Sequence, residues 1–299
     1  MTGVLDVDIR EVAPRDGLQI EKPVSTAAKA RLIAALVATG VRRIEATAFV
    51  SPRAVPAMAD ASEVAELLSQ WPDVEFSALV ASPGGARRAV AAGITRVEYV
   101  VSASDTHSQA NARRSTAEAL AQTAEVADTV HGAGGLLEVI VAMAWDCPFE
   151  GRTPVARTVD LLGRAHTLGA DSLCLGDTIG TATPVRVGAL VGAAVEAVPG
   201  VPLGAHFHDT YGSGLASAWA AYQAGVRRLD ASAGGLGGCP FAPGASGNIA
   251  TEELVHLFED GGLSTGIDLD ACVVAAEVAA DVVGHAVPSR LLRAVRARS

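Results

Sequence analysis

Aromatic residues are scarce in this 299-residue chain, at 4%, and its 23 lysines and arginines are outnumbered by 33 aspartates and glutamates. With a net charge of −10 and no basic stripe interleaved with aromatics, the chain lacks the footprint of a nucleic-acid binder, so no nucleic-acid partner is expected. Cysteine is sparse too. Cys147, Cys174, Cys239 and Cys272 follow neither a zinc spacing nor a disulfide rhythm, which fits a reducing compartment. No uninterrupted apolar run reaches membrane-spanning length, which argues against a membrane partner. The opening Met1-Thr2-Gly3-Val4-Leu5-Asp6 has no basic segment followed by an apolar stretch, and a cytoplasmic location is expected from that. No Pro- or Ser-rich linker divides the chain, so residues 1–299 are expected to form a single domain.

What is present is a hydrophobic content of 49%, ample for a large core. Apolar strand candidates fall at residues 7–12, 43–49, 74–79, 96–102, 136–142, 172–175, 201–206 and 228–231. Helical segments alternate with them, starting at Ser25-Thr26 and reaching Thr39, then at 61–70, 84–92, 116–132, 155–168, 184–198 and 214–224. Gly40, Gly93, Gly169 and Gly225 each stand between a helix and the next strand, where the left-handed position that closes a helix favours glycine. Eight strands alternating with helices predict an α/β fold, the closed (β/α)8 TIM barrel. Further helical stretches near 249–259 and 269–284 predict a C-terminal helical extension over about 249–299, which pads the barrel or forms a subunit contact.

Barrels of this kind carry their chemistry at the C-terminal ends of the strands. His206 and His208 close the seventh strand and, two residues apart, face the same side while Phe207 faces away. Alone, such a pair reads equally as a metal site or as histidines kept for hydrogen bonding. Its setting favours the first reading. Pro14-Arg15-Asp16-Gly17 follows strand one as a polar turn, Glu45 lies within strand two, Asp177 follows strand six, and Cys239 and Asn248 follow strand eight. Asp16, His206 and His208, with the Asn248 amide oxygen, make a mixed imidazole and oxygen donor set that suits Mg²⁺, Mn²⁺ or another first-row divalent ion. Singly, Asp16 also reads as a turn aspartate and Asn248 as a helix N-cap. Arg15 brings a permanent positive charge to the mouth, useful where an enolate develops, and Glu45 is placed to pair with it. Cys239 sits in Gly234-Gly235-Leu236-Gly237-Gly238-Cys239-Pro240, a loop glycine-rich enough to move, with a thiol fit for acid–base work. The loop lacks the Lys-Ser/Thr of a phosphate-binding P-loop.

These residues carry a resemblance. Glu11-Val12-Ala13-Pro14-Arg15-Asp16-Gly17-Leu18-Gln19, Ile44-Glu45-Ala46-Thr47, Leu175-Gly176-Asp177-Thr178, His206-Phe207-His208-Asp209-Thr210 and the Gly235–Pro240 loop through Asn248 resemble the hydroxymethylglutaryl-CoA lyases. That group belongs to the metal-dependent barrel lyases and Claisen-condensing enzymes. The resemblance spans about residues 7–290. It implies metal-dependent retro-Claisen cleavage of 3-hydroxy-3-methylglutaryl-CoA, or a closely related 3-hydroxyacyl-CoA, to acetyl-CoA and acetoacetate or the corresponding oxo acid. It also implies Mg²⁺ or Mn²⁺ on Asp16, His206, His208 and Asn248. Arg15, Asp16, Glu45, His206 and Cys239 would be catalytic, Arg15, Gln19 and Asp177 would bind the acyl-CoA substrate, and the chain would form a homodimer. The chain departs from the group's pattern at Ile20, Ala48, Trp145, Asp146 and Cys174; the resemblance leads one to expect hydroxyl residues at Ala48 and Cys174, and Trp145 and Asp146 are expected to reshape the mouth. A Claisen-condensing acyltransferase and a 4-hydroxy-2-oxo acid aldolase share the Arg-Asp and His-x-His elements and stand as alternatives, with a non-catalytic metal-stabilised barrel behind them.

Overall fold

The structure, a computed structural model, describes residues 5–238 and 247–297. The described residues form ten strands: β1 (Asp8–Glu11), β2 (Arg43–Phe49), β3 (Glu75–Val80), β4 (Arg96–Ser102), β5 (Leu136–Ala142), β6 (Asp146–Cys147), β7 (Gly151–Arg152), β8 (Ser172–Asp177), β9 (Leu203–Phe207) and β10 (Arg228–Ala231). Eight of them close into a parallel barrel in the order β1-β10-β9-β8-β5-β4-β3-β2, and β6 and β7 form a separate antiparallel hairpin. The predicted (β/α)8 barrel is the observed fold.

The helices differ in detail from the expectation, for local reasons. Residues 116–132 form two helices, Thr116–Ala121 and Thr123–His131, joined at Gln122. An additional helix, Asp105–Ala112, starts where the Ser104 hydroxyl accepts the His107 N–H and ends at Arg113, whose φ is 55°. The strand expected at 201–206 begins at Leu203, because Pro202 has no N–H to give to a ladder. The four predicted helix-closing glycines all have positive φ, 86° to 117°. At the C-terminus the extension is present as Thr251–Asp260 and Leu269–Val283, followed by a further helix, Arg290–Arg296. Leu269–Val283 packs on Thr26–Val37, so this part of the extension pads the barrel.

Strand alternation sorts the core. Ile9, Ile44, Val97, Val139 and Leu173 face the surrounding helices and join one continuous apolar core. The alternate positions face the barrel axis, where TIM barrels are usually filled by branched apolar side chains. Here one layer holds Arg10, Glu98, Glu138, Arg228 and Asp230, linked by ion pairs. One step towards the C-terminal end of the strands, the layer splits into two walls. On one wall stand Ala48, Leu79, Val100 and Ile140, with Leu79 and Val100 half-buried among fully buried neighbours and therefore open to the mouth. The other wall, on the β1, β9 and β10 side, is polar.

Candidate active site

The segment predicted as a polar turn is instead one turn of π-helix, Ala13–Gly17, with every residue buried. Such turns are frequent at functional sites. Its proline takes the first turn, where a missing N–H costs nothing, and three N–H groups, of Arg15, Asp16 and Gly17, converge on Val12 O. This tight wind turns Arg15 and Asp16 back over the barrel mouth.

Opposite them, β9 runs out through His208, which forms an isolated antiparallel bridge with Asn248. The flanking bonds Asp209 N to Gly247 O (3.0 Å) and Ile249 N to Phe207 O (3.1 Å) hold the two segments in register. Asn248 is thereby set beside His208. Gly237 makes room for it: φ there is 121°, and a Cβ would stand 2.5 Å from the Asn248 amide nitrogen.

The result is a buried convergence of donors. Asp16, His206 and His208 each offer a ligand atom, all within 4.8 Å of one another. The two Nε2 atoms are 3.1 Å apart, and Asp16 Oδ2 lies 3.6 Å from that of His208 and 3.9 Å from that of His206. Asn248 joins them by donating its amide to Asp16 Oδ2 (2.7 Å) and to Leu236 O (2.9 Å). Among the described residues its Oδ1 is buried without a hydrogen-bond partner, a costly state in a protein interior. An orphaned amide oxygen beside two imidazole nitrogens and a carboxylate fits a divalent cation: these four residues would hold it.

Arg15 lies against this cluster. Its Nη1 donates to Asp16 Oδ1 at 2.5 Å, and its Nη2 pairs with Glu45 Oε2 at 2.7 Å. Gln19 donates to the same Asp16 oxygen at 2.8 Å. Burial works against the charge on Asp16, but Arg15 and the two histidines outweigh it and hold the carboxyl well below its ordinary range. Burial likewise opposes the Arg15 charge, yet Glu45 and Asp16 keep the guanidinium protonated. His206 is lowered by burial and raised more strongly by its bond to Asp230 and by Asp16. Arg15, Asp16, Gln19, Glu45, His206, His208 and Asn248 are thus brought together as the sequence suggested.

Asp177 stands apart. Both its oxygens accept N–H groups of the loop that follows, from Thr181 (3.2 Å) and Ala182 (3.0 Å), and burial raises its pKa. In this structure it orders a mouth loop and makes no bond to the donor cluster. Cys239 lies outside the described residues. Trp145, expected to reshape the mouth, packs away from it: its ring sits 5.5 Å from that of Phe207 and its Nε1 donates to Arg186 O at 3.3 Å. Asp146 takes Arg186 in a two-pronged ion pair (2.8 and 2.9 Å) and the Thr181 hydroxyl (2.7 Å), tying the loop after β5 to the loop after β8. Beside them Met143 is held at φ 56°, its N–H donating to the Thr178 hydroxyl oxygen and its carbonyl accepting from the Thr153 hydroxyl. Strain of this kind collects at functional mouths.

Sequence reasoning missed Asp230, whose Oδ2 lies 3.2 Å from His206 Nδ1. The available signal was a charged residue at an inward position of a buried strand, repeated at Arg10, Glu98 and Glu138.

The profile of the HMGL-like family matches residues 6–279. The (R)-citramalyl-CoA lyase of Chloroflexus aurantiacus is 40% identical over 294 residues, covering 95% of this chain and 93% of that one. The mitochondrial hydroxymethylglutaryl-CoA lyase of Gallus gallus is 42% identical, over 88% of this chain and 89% of its own. Among solved structures, an HMG-CoA lyase from Acinetobacter baumannii in complex with coenzyme A and 3-methylmalate superposes with a TM-score of 0.93 at 42% identity, covering 98% of this chain and 97% of that one.

Proposed function

The chain belongs to the HMGL-like family and is a carbon–carbon lyase acting on CoA thioesters, and on that premise we propose that it carries out the metal-dependent retro-Claisen cleavage of 3-hydroxy-3-methylglutaryl-CoA to acetyl-CoA and acetoacetate. The observation that carries the proposal is the buried convergence of Asp16, His206, His208 and Asn248 beside the Arg15 guanidinium. Imidazole, carboxylate and amide donors without a thiolate suit Mg²⁺ or Mn²⁺. When bound, such an ion supplies a Lewis acid that polarises and orients substrate oxygens.

The residues themselves account for the rest of the reaction. The C3 hydroxyl gives up its proton, the C2–C3 bond breaks, and its electron pair passes into the enolate of the acetyl thioester. Acetoacetate leaves with the new C3 carbonyl. Arg15 places a buried, permanently protonated guanidinium where the enolate charge develops, and Glu45 fixes its direction. Removal of the hydroxyl proton is assigned to Asp16 on the sequence pattern, its carboxylate lying within the donor cluster beside Arg15. Protonation of the enolate carbon is assigned to Cys239 on the sequence pattern, and Gln19 and Asp177 to holding the substrate at the mouth.

A second reading has specific support. Citramalyl-CoA is shorter by one methylene in its carboxylate arm and yields acetyl-CoA and pyruvate by the same bond cleavage. The similarity to a citramalyl-CoA lyase, together with the departures from the family pattern at Ala48 and Cys174, favours testing it beside the first. The experiment is product analysis with each thioester and Mn²⁺: acetyl-CoA with acetoacetate supports the first reading, acetyl-CoA with pyruvate the second. Failure to release acetyl-CoA from either, with a 2-oxo acid required for turnover, would overturn both. The proposal extends to a homodimer in the cytoplasm, for which Val274 and Val295, exposed on the C-terminal helices, offer apolar contact surface.

A further inference from the structure

The charged layer beneath the site has no role in the reaction as derived so far. Fully burying such groups is expensive, and ion pairs recover the cost only with good geometry. Arg10 has that geometry. Its Nε and Nη2 grip the two oxygens of Asp230 at 2.9 and 2.7 Å, while its Nη1 meets Glu98 Oε1 at 2.6 Å and Glu138 Oε1 at 2.9 Å. Glu138 in turn pairs with Arg228, whose guanidinium lies over β9 because Gly204 has no Cβ to meet it.

Barrel register lines these groups up with the site. Arg10 on β1 is the direct partner of Asp230 on β10, and Asp230 is the direct partner of His206 on β9. Asp230 Oδ2 therefore receives both Arg10 Nη2 and His206 Nδ1 (3.2 Å). Gripped by Arg10, Asp230 stays ionised and can only accept, so His206 must carry its proton on Nδ1. The Nε2 lone pair is left facing the Asp16–His208 cluster. Among the described residues His208 has no such support: its Nδ1 is buried without a hydrogen-bond partner.

We infer that Arg10 and Asp230 are positioning residues for His206, a two-residue relay through the barrel interior that fixes the tautomer and tilt of the imidazole for metal binding. The inference rests on the reading of His206 as a metal ligand. Carboxylates that hold a ligating histidine in this way are worth about 10–100-fold in metal affinity or activity.

The test is a Mn²⁺ titration of the apoprotein followed by electron paramagnetic resonance, with folding checked by circular dichroism. Asp230→Asn keeps the shape but offers an amide that can donate to Nδ1 and push the proton to Nε2. It is expected to weaken Mn²⁺ binding about 10–100-fold and to lower kcat with little change in KM. Arg10→Lys keeps the charge and loses the two-pronged grip. Its expected loss is smaller, about tenfold at most, and it serves if Asp230→Asn fails to fold. Glu98→Gln alters the same layer without touching Asp230 and is expected to bind Mn²⁺ within about twofold of wild type, below the smallest loss expected of a positioning carboxylate. Wild-type affinity in Asp230→Asn, or in Arg10→Lys if only that variant folds, would overturn the relay while leaving the metal site standing. An equal loss in Glu98→Gln would overturn it in favour of bulk electrostatics. A wild type that binds no Mn²⁺ would overturn the metal reading and the relay together.

Discussion

The two walls of the barrel mouth are built from the same strand positions and do opposite things. On the β1, β9 and β10 side, Asp16, His206, His208 and Asn248 converge and Arg15 is locked between Asp16 and Glu45. Across from them, Ala48, Leu79, Val100 and Ile140 present hydrocarbon. A substrate with one oxygen-rich face and one methyl-bearing face matches that division. Changes on the polar wall are therefore expected to act on the chemical step, and changes on the apolar wall on binding and choice of substrate.

The largest effect should come from Arg15→Met, which removes the charge facing the developing enolate. A fall in kcat of about 10²–10³-fold is expected, read by steady-state acetyl-CoA release, with Mn²⁺ affinity retained. A variant that keeps its kcat would remove Arg15 from the chemistry. Cys239→Ala should follow, with a loss of about 10²-fold in kcat if the thiol delivers the last proton. Exchange of deuterium from solvent into acetyl-CoA would fall with it, and unchanged exchange would assign the proton elsewhere.

On the opposite wall, Ile140→Ala should raise KM for the methyl-bearing thioester by about tenfold and leave kcat nearly unchanged. A kcat loss as large as that of Arg15→Met would abolish the distinction between the walls.

The smallest effect concerns stability. Burial raises Glu11 to about 7, so it holds a proton in the folded chain that the unfolded chain has released. Its contribution is fully present below an unfolded carboxyl pKa of about 4.3 and is lost as pH rises through the folded value. Asp16 and Asp230, both depressed, act with the opposite sign and only in acid. The melting temperature of the apoprotein should thus fall by a few degrees from pH 5.5 to pH 8.5, and Glu11→Gln should flatten that slope. A midpoint that rises over this interval would contradict the assignment.

Much of this was legible in the sequence. The strand count and helix-closing glycines were enough for the barrel, because hydrophobic periodicity and left-handed glycines are local signals. Arg15, Asp16, His206 and His208 stood out because charged or imidazole groups at strand ends have few structural uses. The π-turn was read as an ordinary turn, since Pro14 and Gly17 signal a break in either case. Asp230 and Arg10 escaped notice for a different reason: their meaning lies in register across the barrel, which places residues 220 positions apart side by side. Trp145 and Asp146 looked like changes to the mouth, but their partners, Phe207 and Arg186, are only brought near by the fold.

The most direct measurement of the central claim is to strip the protein with a chelator and follow acetyl-CoA release from 3-hydroxy-3-methylglutaryl-CoA and from citramalyl-CoA as Mn²⁺ is added back. Activity should vanish on stripping and return with saturation at one ion per chain in the wild type, and should fail to return in His208→Ala. Turnover that persists after the metal is removed, or returns equally in His208→Ala, would contradict the role given to this cluster.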